Sequence, residues 1–114
     1  MFERLEVNRL AHALAAHASA RQSVIASNVA HADTPGYRAR EVESFADHLH
    51  RLRTDPGAAP RLLAAAPGAA LSPNGNSVSI ETEMMKGVDA RHRFEMALTI
   101  AQSVTGVIRT SLGR

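Results

Sequence analysis

All five prolines of this 114-residue chain lie between positions 35 and 73, and that distribution constrains the fold more than any other feature. Proline removes a backbone donor and clashes with the preceding helical turn. The two ends can therefore run as long helices, whereas the middle cannot. From Phe2 to about Ala30 neither Pro nor Gly interrupts the chain. Val7, Leu10, Leu14 and Ala18 recur at spacings of three and four, and Val24 and Ile25 resume the stripe. Such a helix spans about 45 Å and depends on a partner along its apolar face.

The helix must stop before Thr34, because the residue preceding Pro35 is pushed out of the α region. Pro35 followed by Gly36 predicts a type II turn, in which Gly36 takes positive φ without steric cost. Asn28 and His31 are placed in the last helical turn, within reach of terminal carbonyls or a neighbouring segment. Asp33 reads as a carboxylate that bonds nearby turn backbone. Tyr37 then leads an extended stretch to about Arg40.

A short helix is expected from about Glu43 to Arg53, with Phe45, Leu49 and Leu52 on one face and His48, His50, Arg51 and Arg53 on the other. Thr54 to Gly75 holds four of the prolines among alanines and glycines, which predicts a flexible or irregular connector. Asn76 to Ile80 forms a short lead-in. Ser79 is the expected N-cap of a final helix, with Glu81 and Glu83 in its first turn, where the helix dipole favours negative charge.

That helix is expected from Glu81 to about Leu112. Phe94, Leu98, Ala101, Thr105, Ile108 and Leu112 follow heptad spacing, and a parallel stripe of Ala97, Ile100, Val104 and Val107 widens the face. Gly87 and Gly106 each weaken the helix by about 1 kcal/mol relative to Ala, and read either as tolerated or as points of close helix approach. The expected fold is mainly α. Long N- and C-terminal helices pair as an antiparallel coiled-coil-like hairpin, with a short middle helix and an irregular Pro/Ala-rich connector. The divisions are 1–32 for the first helix, 33–53 for the turn and short helix, 54–75 for the connector, and 76–114 for the lead-in and last helix. Two wide apolar faces in so small a chain cannot fully cover each other, so self-association or assembly with partners follows.

Several function classes find no support. Without cysteine there is no disulfide framework, thiolate metal site or cysteine nucleophile. The N-terminus lacks the pattern of a cleaved signal peptide, and no stretch reads as a transmembrane span. His12 and His17 are five residues apart, His48 and His50 two apart, and His92 stands between Arg91 and Arg93. None of these arrangements suits a metal, and the histidines read as exposed or interfacial. His31, Asp33 and Thr34 lack the surroundings of a catalytic triad. The net charge is only +2 and the arginines are dispersed among acids, which argues against nucleic acid. Neither a cofactor nor a small-molecule substrate is implied.

The run Asn28-Val29-Ala30-His31-Ala32-Asp33-Thr34-Pro35-Gly36-Tyr37-Arg38-Ala39 resembles the N-terminal signature of bacterial flagellar basal-body rod proteins. That signature reads Asn, apolar, Ala, Asn, two variable residues, Thr, Pro, Gly, Tyr, basic. Asn76 to Met84 resembles the lead-in to that family's last helix. His31 departs from the pattern, because an imidazole cannot supply the full donor and acceptor set of an amide. The resemblance, closest to the short proximal members, covers residues 1 to about 53 and 74 to 114. It implies a structural subunit exported without a cleaved signal through the flagellar type III apparatus and polymerised in the periplasmic rod, the drive shaft for motility. The implied partners are copies of itself, other rod subunits, the rod–ring adaptor and the export gate. The expected motif residues are Asn28, His31, Asp33, Thr34, Pro35, Gly36 and Tyr37. The expected assembly face comprises Val7, Leu10, Leu14, Ile25, Phe94, Leu98, Ala101, Val104, Ile108 and Leu112. Another short rod subunit, or a cytosolic helical-hairpin adaptor, would share many of these features.

Overall fold

Two helices dominate the computed structural model, which describes residues 2–64 and 68–113. The elements run α1 (Phe2–Ala30), β1 (Glu41–Val42), α2 (Phe45–Leu52), β2 (Leu62–Leu63) and α3 (Ile80–Ser111). α1 packs along α3, and the chain measures 63 × 28 × 16 Å. Arg21 meets Asp89 at 2.8 Å, while Ile25 lies against Gly87. Partner numbers rise on one helix as they fall on the other, so the pair is antiparallel. The fold is the mainly helical hairpin that the proline distribution predicts.

Local chemistry sets the helix starts. Ser79 Oγ accepts from the Thr82 amide at 3.3 Å and caps α3. Ser44 Oγ does the same for α2, accepting from the Asp47 amide at 3.2 Å. Both satisfy donors that the first helical turn leaves without partners.

The α1–α3 seam is lined by small side chains. Ala11, Ala18 and Ile25 of α1 and Ala90 and Ala97 of α3 are buried, at the spacings of three, four or seven that keep one stripe facing a partner helix. This corrects the expected seam of α3. Leu98, Thr105 and Leu112 are exposed, whereas Phe94, Ala101 and Ile108 are half-buried beside Ala97 and Val104. Alanines let the two backbones approach closely, and the larger apolar residues are left outside. Neither helix glycine is required for this. A β-carbon on Gly87 would meet Ile25 Cγ2 at 3.9 Å, an ordinary contact, and one on Gly106 would meet nothing within 4 Å.

Within the described part of the proline-containing middle, a short stretch is regular. Leu62–Leu63 pair antiparallel with Glu41–Val42, and Glu43 donates its amide to Arg61 O at 2.9 Å. Part of the expected connector thus joins β1 in a two-stranded strap that meets α1 through β1. No described helix is long and apolar enough to cross a membrane.

Candidate functional site

The Asn-to-Tyr motif builds a polar knot where α1 ends and α3 begins. Asn28 is fully buried. Its Nδ2 donates to Arg40 O at 2.8 Å, and its Oδ1 accepts from the Arg40 amide at 3.0 Å and from Tyr37 Oη at 3.1 Å. The carboxamide therefore pairs with Arg40 as a strand residue would, and pins the returning chain to the helix. A buried amide is tolerated only when its bonding capacity is met, and here three of its bonds are made.

A second carboxamide does the complementary work. Asn76, 3% exposed, donates through Nδ2 to His31 O and Thr34 O, both at 2.8 Å. Its Oδ1 accepts from the Val78 amide at 2.7 Å. It thus collects carbonyls that the end of α1 leaves without helical partners. Between the two asparagines, Gly36 donates its amide to Asn74 O at 2.9 Å and Ser77 donates to Tyr37 O at 3.0 Å. Ser77 Oγ accepts from the Ala39 amide at 2.7 Å.

The turn itself is Thr34 to Tyr37, closed by the Tyr37 amide on Thr34 O at 3.2 Å, with Gly36 at φ 74°. These are the features of a type II turn. Gly75, at φ 82°, lies against the Gly36 backbone, and a β-carbon there would stand 3.5 Å from Gly36 Cα. The His31 ring stacks on Tyr37 with centroids 4.6 Å apart and donates from Nδ1 to Ser27 O at 2.8 Å. Asp33 is exposed, and no described hydrogen bond of the turn uses its carboxylate; Asn74 and Asn76 supply the side-chain bonds instead.

A buried ion pair fastens the strap. Glu43 receives Arg51 Nε on both carboxylate oxygens at 3.2 Å and Arg51 Nη2 at 2.5 Å, and the Arg61 amide at 2.9 Å. Arg51 also donates to Ala59 O at 2.7 Å. The Arg51 hydrogen bonds outweigh burial and hold the Glu43 carboxyl at about 2, below its ordinary 4.5. A depressed carboxyl stabilises the fold above its unfolded value and loses that contribution as pH falls towards its folded one. Tm should accordingly drop between about pH 4.5 and 2. In Glu43→Gln, thermal melts followed across that range should show a flatter acid limb; an unaltered limb would refute the assignment.

The ion-pair lattice continues onto the helices. Arg21 bridges Glu41 at 3.3 Å and Asp89 at 2.8 Å, and Lys86 bridges Glu41 at 3.3 Å and Glu83 at 3.4 Å. Burial pushes the Glu41 carboxyl up, but the Val42 amide, Arg21 and Lys86 together bring it below its ordinary value.

His17 and His48 correct the expectation that the histidines are exposed or interfacial with partners. Both are buried within one chain, His48 to 2% exposure. His17 Nε2 donates to Glu43 O at 2.6 Å, and the two rings stack with centroids 6.1 Å apart. Among the described residues no group of three or more His, Asp or Glu could hold a metal ion.

The expected assembly residues separate into two sets. Ile25 is buried in the intramolecular seam, and Leu14, Phe94, Ala101, Val104 and Ile108 are half-buried. Val7, Leu10, Leu98 and Leu112 are exposed, together with Phe2, Leu5, Val107 and the adjacent Met84, Met85 and Val88. Asn76 was not among the expected site residues. Its local signal was an Asn after Gly75 whose side chain turns onto backbone two residues ahead.

The α1 side of the knot falls within the part of the chain that matches a known family. A family described as "Flagella basal body rod protein" matches residues 10–38, from the third turn of α1 through the turn. The flagellar basal body rod protein FlgB of Salmonella typhimurium is 30% identical over 105 residues, covering 73% of this chain and 75% of that protein. The chain belongs to the flagellar basal body rod protein family. Its work is structural and not enzymatic, and its place is the rod of the flagellar basal body. The knot of this rod protein ties the segment that leaves α1 to the lead-in of α3.

Proposed function

We propose that this rod protein is a proximal-rod subunit, similar in role to FlgB, which polymerises through the outward faces of α1 and α3. The observation that carries this reading is the imbalance between core and surface. Among the described residues, the buried hydrophobic ones are four alanines, Ile25 and Val42. The chain exposes 7743 Å2, against roughly 6,100 Å2 for a compact monomer of its mass. Phe2, Leu5, Val7 and Leu10 on α1, and Leu98, Val107 and Leu112 on α3, are apolar groups that a neighbour would cover. Copies of the chain and other rod subunits are the neighbours in this reading, with the rod–ring adaptor and the export gate at the membrane-proximal end. Export through the flagellar type III apparatus without a cleaved signal, and assembly in the periplasm, complete it. The rod then carries torque outward to the hook.

The absence of cysteine makes the test direct. Single cysteines at Leu10 and Leu98 should yield cross-linked multimers in purified basal bodies on mild oxidation, whereas a cysteine at buried Ala97 should not. Cross-linking at Ala97 alone, or at none of the three positions, would refute assembly through these faces. Finding the chain only in the distal rod would refute the proximal position.

A further inference from the structure

A cluster of buried polar side chains lies where α2 and the strap meet α1. His48 on α2 is buried against His17 of α1 and against Glu43, which follows β1. These three residues, with Arg51, hold α2 and the β1–β2 strap onto α1. We propose that His48 is a proton-operated latch: neutral, it fastens α2 and the strap to α1, and protonated, it releases them while α1 and α3 stay paired.

The geometry gives a proton on His48 nowhere favourable to go. His48 Nδ1 is buried without a hydrogen-bond partner among the described residues. The nearest carboxylate oxygen, Glu43 Oε1, stands 3.5 Å away, and it already accepts from Arg51 Nη2 at 2.5 Å and from the Arg61 amide at 2.9 Å. Arg51 neutralises that carboxylate, so an imidazolium would add an uncompensated buried charge. The stacked His17 ring cannot help, because its Nε2–H is committed to Glu43 O. Its Nδ1 is buried without a partner as well.

The other charged groups around the cluster hold their state through mild acid. From α1 comes Arg21, bound to Glu41 of β1 and Asp89 of α3. From α3 comes Arg93, which bonds Asp89 and lines the same groove as His17 and Glu43. From α2 comes Arg51 itself. Glu41, Glu43 and Asp89 are all held below their ordinary values by the cations and amides they bind. Burial pushes the His48 imidazole below its ordinary value, against the pull of Glu43 and with some help from His17. A depressed histidine stabilises the fold above its unfolded value, and that contribution is lost as pH falls. A groove of about 400 Å3 is lined by His17, Arg21, Glu43 and Phe45 and reaches the edge of the cluster.

The α1–α3 pair has its own ties, the alanine seam, the Arg21–Asp89 ion pair and the carboxamide knot, and none of them uses His48. The inference is therefore independent of where in the rod the subunit sits.

The test is an amide and imidazole NMR titration of the whole purified chain from pH 7.5 to 5.0. The expected result is loss of dispersed signals from residues 41–63, tracking a His48 ring midpoint below 6.5, while seam residues 85–97 keep theirs. His48→Gln should keep the strap signals over the whole range. Strap signals that persist in the unaltered chain once the His48 ring has titrated would overturn the latch. So would release in His48→Gln at the same midpoint. Should His48→Gln fail to dock its strap at pH 7.5, the unaltered chain decides. A His48 ring midpoint at or above 6.5, or strap loss that does not follow it, overturns the proposal.

Discussion

Asn28→Ala should lower the stability of the isolated chain by about 2 to 3 kcal/mol, the scale expected when buried polar groups lose their partners. The substitution removes both faces of the pairing with Arg40 and the acceptor for Tyr37 Oη. It also leaves a small void where a fully buried side chain stood. A change of that size corresponds to a fall in Tm of roughly 10 °C for a domain of this length, readable from the helical circular dichroism signal. Asn28→Asp is the informative companion. It keeps an acceptor for the Arg40 amide but sets a second oxygen against Arg40 O, so it should be destabilised to a similar degree. Should either variant melt within about 2 °C of the unaltered chain, the carboxamide would not be what holds the return segment.

Ala90→Leu combined with Ala97→Leu should cost about 2 to 5 kcal/mol, since overpacking a well-filled site typically costs about 1 to 3 kcal/mol. Both alanines are almost wholly excluded from solvent in the seam with α1, and a longer side chain at either must force the helices apart. Leu98→Ala provides the contrast one residue away. Leu98 is exposed, so its loss should change the denaturant midpoint of the free chain little, within about 0.5 kcal/mol, yet impair incorporation into the rod. Guanidinium melts of the two variants, set beside basal-body preparations, separate the two roles. If the double leucine variant were as stable as the parent, the seam would lie elsewhere on α3.

The contrast between those positions marks where sequence reasoning stopped. Both long helices, the cap at Ser79 and the turn at Pro35–Gly36 rest on local rules, and residue types alone reveal them. The inward face of α3 does not rest on local rules. Leu98 and Ala97 lie on adjacent stripes of equal periodicity, and larger apolar residues make the outer stripe look like the core. What reverses the choice is the close approach of α1, a tertiary property that favours Ala at Ala11, Ala18, Ala90 and Ala97. The strap was hidden for a similar reason. Leu62 and Leu63 are exposed, so no alternation betrays a strand, and their order comes from backbone pairing with Glu41 and Val42. Within the candidate site, the role of Asn28 was half visible, as a residue near a helix end. That of Asn76 was not, because its partners His31 and Thr34 lie more than forty positions earlier.

The two asparagines and the glycine contact between Gly36 and Gly75 all lie at one end of the helix pair, which makes the molecule a tuning fork gripped at its base. Each tine extends about 40 Å beyond that grip, so a rotation of about 5° at the base moves the tips by several ångströms. Beyond the strap, the tines are joined chiefly by small side chains, and small side chains let surfaces slide. A neighbour that seizes the tips can thus set their spacing without disturbing the base. The base, tied by side-chain and backbone hydrogen bonds, holds the two helices together at that end.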